Sequence, residues 1–294
     1  MTTVEHDVLL SVTMLRPEEK LLLRALRARG VAARPALQED LAEVLAGQTA
    51  PPRLSLIRNL SHREAVGVAR RLEHLGAPTL NRTSAIELCN DKGLQALLFA
   101  RHDIPHPMSR HAYSYSQVRQ AVSELGWPAV LKPVSGSWGR GVTKLVNDEC
   151  VEAWVGGRES TDAGGKFFPV LIQEYVDKPG YDLRVVVVGR MPVVAIRRVS
   201  AGWRTNTHLG AEVERAEITA EIDKLCTQVA DVLGDGFYGI DLLEDRGDGE
   251  LKVLEVNANP EFAQSAAVHG VDVAGHLAAH VAERLGNGAV PAAA

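Results

Sequence analysis

The chain has 294 residues, with 32 Lys+Arg against 37 Asp+Glu, a net charge of −5 with histidines neutral. Hydrophobic residues at 46% and charged residues at 23% are ordinary for a packed protein and argue against disorder, and no basic stripe suits nucleic acid. Runs such as Val185–Val188 fall far short of the roughly 20 apolar residues of a membrane helix, so no membrane association is expected.

Val8-Leu9-Leu10-Ser11-Val12 reads as a buried strand, followed by a helix from Pro17 whose Leu21, Leu22, Leu23 and Leu26 form an apolar stripe ending at Gly30. Leu54-Ser55-Leu56-Ile57 reads as a second strand. A helix then runs from about Ser61 to Leu75, with Ser61 and Glu64 spaced as a capping box. This alternation predicts a small α/β unit with a parallel sheet over residues 1–82.

Thr83 to His102 reads as one helix carrying Asn90-Asp91-Lys92, and Tyr113 to Gly126 as another. Strand-like segments follow at Ala129–Lys132, Val170–Gln173, Leu183–Val188, Val193–Ile196, Gly239–Leu243 and Leu251–Val256. Turns such as Gly189-Arg190 and Arg246-Gly247-Asp248-Gly249 join several of them, which predicts antiparallel sheet. One helix, Thr219 to Leu233, interrupts this sheet and Val273 to Leu285 closes the fold. The expected layout is α/β and α+β: residues 1–82, a central subdomain over 83–175, a C-terminal antiparallel-sheet subdomain over 176–288, and a frayed tail at 289–294.

Cys89, Cys150 and Cys226 are few and widely spaced, forming neither a disulfide framework nor a zinc pattern. With no basic stretch ahead of an apolar one in the first 20 residues, a cytoplasmic location is expected.

Four groups of residues could carry chemistry. Ser135-Gly136-Ser137-Trp138-Gly139-Arg140-Gly141, directly after Lys132, could bring main-chain N–H groups close to an anion, with Lys132 adding a charge. Its spacing is not that of the P-loop, and a ligand-free glycine hairpin has the same appearance. In the second group, a hairpin centred on Asp248 places Asp241 opposite Glu255, since 248 is the midpoint of 241 and 255. Asn257 then shares their face and lies opposite Gly239. Two carboxylates and an amide oxygen converging there would call for a cation, and oxygen-only donors suit Mg²⁺; the solvent-facing side of an edge hairpin, where acids cost nothing, is the alternative. The third, Gln173-Glu174-Tyr175-Val176, could offer its main chain to a flat adenine edge, with Asp182 accepting from ribose hydroxyls, although by itself it reads as an ordinary strand and turn. The fourth is cationic: Arg184, Arg197, Arg198 and Arg204 with Asn206, of which Arg197 and Arg198 point to opposite faces of a regular strand. His276 and His280 are spaced i, i+4 but lack the adjoining glutamate of a zinc motif and read as helix-surface residues.

Taken together in this order, and with Asp182-Leu183-Arg184-Val185 and Trp203-Arg204-Thr205-Asn206-Thr207, these residues resemble an ATP-grasp ligase of the RimK/LysX type over nearly the whole chain. The resemblance implies the ATP-grasp fold and two Mg²⁺ ions. It places Lys92 and Lys132 on ATP phosphates under a lid formed by Gly136, Ser137, Trp138, Gly139, Arg140 and Gly141. Gln173, Glu174, Tyr175 and Val176 become the adenine hinge with Asp182 near the ribose, and Asp241, Glu255 and Asn257 the metal ligands. Arg197, Arg204 and Asn206 would face the acyl phosphate. Leu15-Arg16-Pro17-Glu18-Glu19-Lys20 and Gly270-Val271-Asp272-Val273-Ala274 are similar to the LysX subgroup. There an amino acid is joined through its α-amino group to the C-terminal glutamate side chain of a small acidic carrier protein, in lysine or arginine biosynthesis. Many relatives self-associate, so a homo-oligomer is expected. Two segments, His208-Leu209-Gly210-Ala211 and Ala258-Asn259-Pro260-Glu261-Phe262-Ala263-Gln264, depart from the subgroup's pattern. A RimK-like glutamate ligase or a small-molecule peptide ligase of a natural-product pathway therefore stays open beside the carrier reading.

Overall fold

A computed structural model describes residues 7–47, 50–136, 139–162, 164–205 and 210–286. The first layer contains β1 (Val8–Val12), α1 (Pro17–Ala28), β2 (Ala33–Ala36), α2 (Gln38–Leu45), β3 (Leu54–Arg58), α3 (His62–His74) and β4 (Thr79–Leu80). Its four strands are parallel in the order β2-β1-β3-β4. The buried, alternation-free strands β1 and β3 need cover on both faces, which a helix-connected parallel sheet provides. Half of the expected capping box is present at α3. Ser61 Oγ accepts from the Glu64 N–H, but the Glu64 carboxylate accepts instead from Thr13 Oγ1 and Asn59 Nδ2, tying the ends of β1 and β3 together.

The helix expected over 83–102 is two helices, α4 (Thr83–Asn90) and α5 (Lys92–Arg101). Asp91 breaks it with an extended backbone, its carboxylate accepting from the Gly93 and Leu94 N–H groups. A short acid that caps a new helix competes with continuing the old one. The break makes Lys92 the first residue of α5.

The central sheet is antiparallel, in the order β5-β8-β6-β7, from β5 (Ser109–Ala112), β6 (Ala129–Pro133), β7 (Thr143–Leu145) and β8 (Val170–Glu174). Helices α6 (Tyr115–Leu125) and α7 (Asp148–Glu159) cover it around a core of its own that includes Val118, Leu131, Val155 and Ile172. Residues 83–104 do not share that core: Ile86, Phe99 and Ile104 pack with Leu72 of the first layer and Ile240 and Val253 of the third. By packing, the central unit begins near residue 109 rather than 83.

The third layer is a five-stranded antiparallel sheet in the order β11-β10-β9-β12-β13. It comprises β9 (Tyr181–Val188), β10 (Met191–Val199), β11 (Glu212–Ala216), β12 (Phe237–Glu244) and β13 (Leu251–Asn257), with α8 (Ala220–Leu233), α9 (Ala263–His269) and α10 (Val273–Gly286). The all-valine run of β9 is buried on both faces. Val185 and Val187 enter the core shared with α8 and α3, while Val186 and Val188 enter the one shared with α1 and α10. The expected tail at 289–294 lies outside the described residues, among which no helix is long and apolar enough to cross a membrane.

Candidate functional site

A cleft lined by residues of both sheets separates the central and third sheets. β6 contributes Lys132 to it, the β6–β7 turn Gly136, Gly139 and Arg140, and α5 Lys92. The end of β8 contributes Gln173–Val176, and the third sheet Asp182, Arg198, Asp241, Leu254 and Glu255.

The acidic side of the cleft rests on the β12–β13 register. Asp241 pairs with Glu255 and Gly239 with Asn257. Nearer the turn the ladder runs one residue out of step, Leu243 opposite Lys252, and a bulge at Leu254 restores the pairing expected from the midpoint at Asp248. The charges are balanced by protein cations, contrary to the expectation that the acids would require a metal to coexist. Arg184 Nε and Nη2 donate to the two Asp241 oxygens, Nη2 at 2.9 Å, and Arg198 Nη2 lies 3.0 Å from Asp241 Oδ2. Burial alone would raise the Asp241 carboxyl, but Arg184 and Arg198 outweigh it and hold it below the usual carboxylate range. Among the described residues Glu255 keeps a single ion pair, to Lys92 Nζ at 3.5 Å. The Asn257 side chain makes no hydrogen bond among the described residues, and its Nδ2 is buried without a partner.

This arrangement is testable against a hard cation from its own donors. Glu255 and Asn257 are uncommitted or weakly committed oxygen-bearing groups on one face, and Asp241 would share its oxygens with two arginines. The set fits Mg²⁺ in donor type. Among the described residues no group of three or more His, Cys, Asp or Glu side chains is placed to hold a metal. A cation here would therefore rely on the Asn257 amide and on phosphate or water oxygens for the rest of its shell.

The expectation for Arg197 is corrected. It is exposed on the far face of β10, its guanidinium 4.9 Å from the Tyr181 ring centroid, whereas the neighbouring Arg198 is buried in the cleft. Alternation along the strand sends successive side chains to opposite faces, and register with Asp182 and Asp241 selects Arg198. Asp182 also departs from its expected part. Its Oδ1 accepts from Arg198 Nε at 2.6 Å, and its Oδ2 accepts from Thr205 Oγ1 with Lys178 Nζ 3.7 Å away. With both oxygens engaged, it anchors Arg198 and the segment carrying Arg204 rather than standing open to a ribose. Lys178, which also donates to Thr205 Oγ1 at 2.6 Å, was not singled out by the sequence.

On the basic side, Lys92 Nζ donates to Gly136 O at 2.6 Å, tethering the glycine turn to α5. Lys132 is 5% exposed, and its ammonium has no hydrogen bond or ion pair among the described residues. Burial pushes it down to about 8, partly offset by Glu255, with Lys92 pushing in the same direction as burial. A desolvated ammonium without a partner is primed for an anion. Gly136, Gly139 and Gly141 all have positive φ, and a Cβ on Gly141 would sit 3.0 Å from Pro133 Cγ. Ser137 and Trp138 of this turn, and Asn206, lie outside the described residues.

The hinge end is held from two sides: the Glu174 N–H donates to Met108 O at 2.9 Å and the Tyr175 N–H to Pro128 O at 3.2 Å. Lys252 Nζ donates to Glu174 Oε1 at 3.1 Å, joining β13 to β8. Lys144 Nζ sits 3.5 Å from the Tyr175 ring centroid, and Trp203 meets that ring edge-on at 6.5 Å. Neither Lys252 nor Trp203 carried a role in the sequence reading. A spacing of side-chain types could not have revealed the first, since its partner lies 78 residues away.

Comparison with known proteins adds relatives to this geometry. A family model described as a LysX preATP-grasp domain matches residues 8–88, and one described as a RimK-like ATP-grasp domain matches residues 89–281. The chain is 36% identical over 231 residues to the alpha-aminoadipate–LysW ligase LysX of Saccharolobus solfataricus, covering 78% of this chain and 83% of that one. It is 29% identical over 282 residues to the glutamate–LysW ligase ArgX of Sulfolobus acidocaldarius, covering 93% and 97%. The crystal structure of a RimK domain ATP-grasp protein from Sphaerobacter thermophilus superposes with a TM-score of 0.74 at 26% identity, covering 93% of this chain and 98% of that one.

Proposed function

The chain belongs to the RimK-like ATP-grasp family and is an ATP-dependent carbon–nitrogen ligase, and on that premise we propose that it joins the α-amino group of an amino acid to the C-terminal glutamate γ-carboxylate of a small acidic carrier protein. The observation that carries the reading is the facing of two sets across one cleft. Lys92, Lys132, Gly136, Gly139 and Arg140 line one side and Asp241 and Glu255 the other, with Asn257 two residues beyond Glu255 on the same strand. The two relatives named for ligating an amino acid to LysW favour a protein acceptor.

A carboxylate is a poor electrophile, so the γ-carboxylate oxygen first takes the γ-phosphoryl group of ATP and ADP leaves. The amine nitrogen then attacks the acyl carbon, the carbon–phosphate oxygen bond breaks, and the amine proton is released. Little of this requires covalent help from the protein; positioning and charge balance dominate. Lys132 supplies a desolvated positive charge to the phosphates, and Lys92 couples them to the glycine turn. That turn closes over the phosphates and keeps water from the acyl phosphate. Asp241, Glu255 and Asn257 would hold Mg²⁺, which would neutralise phosphate charge there. Arg198, fixed by Asp182 and Asp241, presents a rigid fork toward the reacting end, with Arg204 lining the same cleft and Asn206 assigned by resemblance. The Gln173–Val176 main chain receives the adenine.

Incubating the protein with Mg·ATP, a carrier ending in glutamate and an amino-acid panel should give ADP and a carrier heavier by one amino-acid residue. ADP release accompanied only by free dipeptides would replace the carrier with a small-molecule acceptor. No amino-acid-dependent ADP release would remove both.

A further inference from the structure

We infer that Asn81 is a positioning residue for the cation end of the cleft, its side-chain amide serving as an extra rung of the β12–β13 ladder. The two strands stop pairing at Gly239 and Asn257. Continued by that register, Phe237 would face Asn259, since 239 + 257 − 237 = 259. No main-chain bond joins those two residues. Asn81 fills the place instead. Its Oδ1 accepts from the Phe237 N–H at 2.5 Å, and its Nδ2 donates to Phe237 O at 2.9 Å and to Ala258 O at 2.8 Å. Asn81 is 2% exposed, so each of these bonds is made away from water.

The chemistry needed is one acceptor and two donors, which among side chains of this size only a carboxamide supplies. Asn81 reaches the third sheet from the end of β4, in the first layer. It fixes Ala258, the residue directly after Asn257, against the start of β12. Two further contacts hold the same segment. Pro260 lies over Gly239, where a Cβ would come within 2.8 Å of Pro260 Cβ, and Arg58 Nη2 donates to Pro260 O at 3.0 Å. Arg58, like Asn81, belongs to the first layer. The N-terminal unit thus sets the pitch of the strand end that presents Asn257. Groups that orient a metal ligand without touching the metal commonly change affinity 10–100-fold when lost.

This inference rests on Asn257 as a cation ligand, and the experiment separates the two. Free Mn²⁺ is followed by electron paramagnetic resonance while the full chain is titrated with Mn²⁺ in the presence of ADP, without turnover. Asn81→Asp keeps the shape and the acceptor but replaces the nitrogen that donates both bonds with an oxygen facing two carbonyls. It should weaken Mn²⁺ binding tenfold or more, with the circular dichroism spectrum unchanged. Arg58→Lys, which leaves Asn81 intact and loosens Pro260, should weaken it several-fold and carries the test if Asn81→Asp does not fold. Asn257→Ala should weaken it at least as much as either. If Asn257→Ala lowers affinity while the folded first-layer variants stay within twofold of wild type, Asn81 has no positioning part. If Asn257→Ala itself changes nothing, the ligand assignment falls and the inference with it.

Discussion

Arg198 of β10 reaches across the intervening strand β9 to place Nη2 3.0 Å from Asp241 Oδ2 on β12, while its Nε binds Asp182 on β9 itself. Two strand spacings, about 10 Å, separate the backbones of Arg198 and Asp241, a span that the length of an arginine side chain makes possible. With Arg184 bound to the same Asp241, acids and arginines alternate on one face of three strands. Asp182, Arg198 and Asp241 are buried and Arg184 is half-buried, and the buried ions are tolerated only through these neighbours.

Arg198→Met should therefore be severe. It leaves Asp182 and Asp241 short of a partner in a dry site, a loss on the order of 3–5 kcal/mol for a broken buried pair. Thermal unfolding and ADP release would report it together, with kcat/KM falling at least a hundredfold in whatever protein folds. Arg197→Ala, one residue away and exposed, should leave both within error of wild type; an equal loss at Arg197 would reverse the assignment of faces.

Glu255 faces the cleft paired to Lys92 alone among the described residues, so it contributes little to folding. Glu255→Gln should lower turnover by about 10²–10³-fold, the range found when one preorganised electrostatic group is removed, with melting temperature nearly unchanged. A variant retaining more than a tenth of wild-type turnover would take Glu255 out of the reaction.

The Lys132 ammonium, held near 8 by burial against about 10.5 in the unfolded chain, carries a pH signature. Between those two values the unfolded chain binds more protons, so stability rises with pH across that window. Below about pH 8 the cost of burying the charge is present in full. Lys132→Met should flatten this slope in denaturant titrations from pH 7 to 10. Phosphates favour the charged form, so nucleotide binding at pH 8–9 should take up a proton. Calorimetry in two buffers of different ionisation enthalpy measures that uptake, which the variant should lack.

Gly141 has φ +71°, and a methyl there would meet the Pro133 ring. Gly141→Ala should cost about 1–2 kcal/mol in backbone strain and raise the KM for ATP, because the displaced turn no longer closes over the phosphates. A KM equal to wild type would separate the turn from nucleotide binding.

Much of this site was readable from side-chain order. The Asp241–Glu255 pairing follows from two apolar strands and a glycine-rich turn, since hairpin register is a local property. Its correctness nevertheless depended on Leu254 bulging out, which no residue type announces. The break at Asp91 was missed because an aspartate inside an apolar-periodic stretch reads equally as a surface position. The choice between Arg197 and Arg198 was narrowed to one by strand alternation, and which one depended on what lay on each side of β10.

Sequence alone determined the elements, the glycine turn and the hairpin that aligns the acids, together with the likeness that locates them in a family. These are short-range matters of periodicity, turn chemistry and residue order. The tertiary structure alone decided which cations answer which acids. Sheet order places β9 between β10 and β12, bringing Arg198 beside Asp241 from 43 positions away (241 − 198). It also decided that Asn81, 177 positions before Ala258, closes the strand end. Partners so distant in the chain are chosen by packing of the three layers, because a buried charge or amide is stable only where the completed fold supplies its complement.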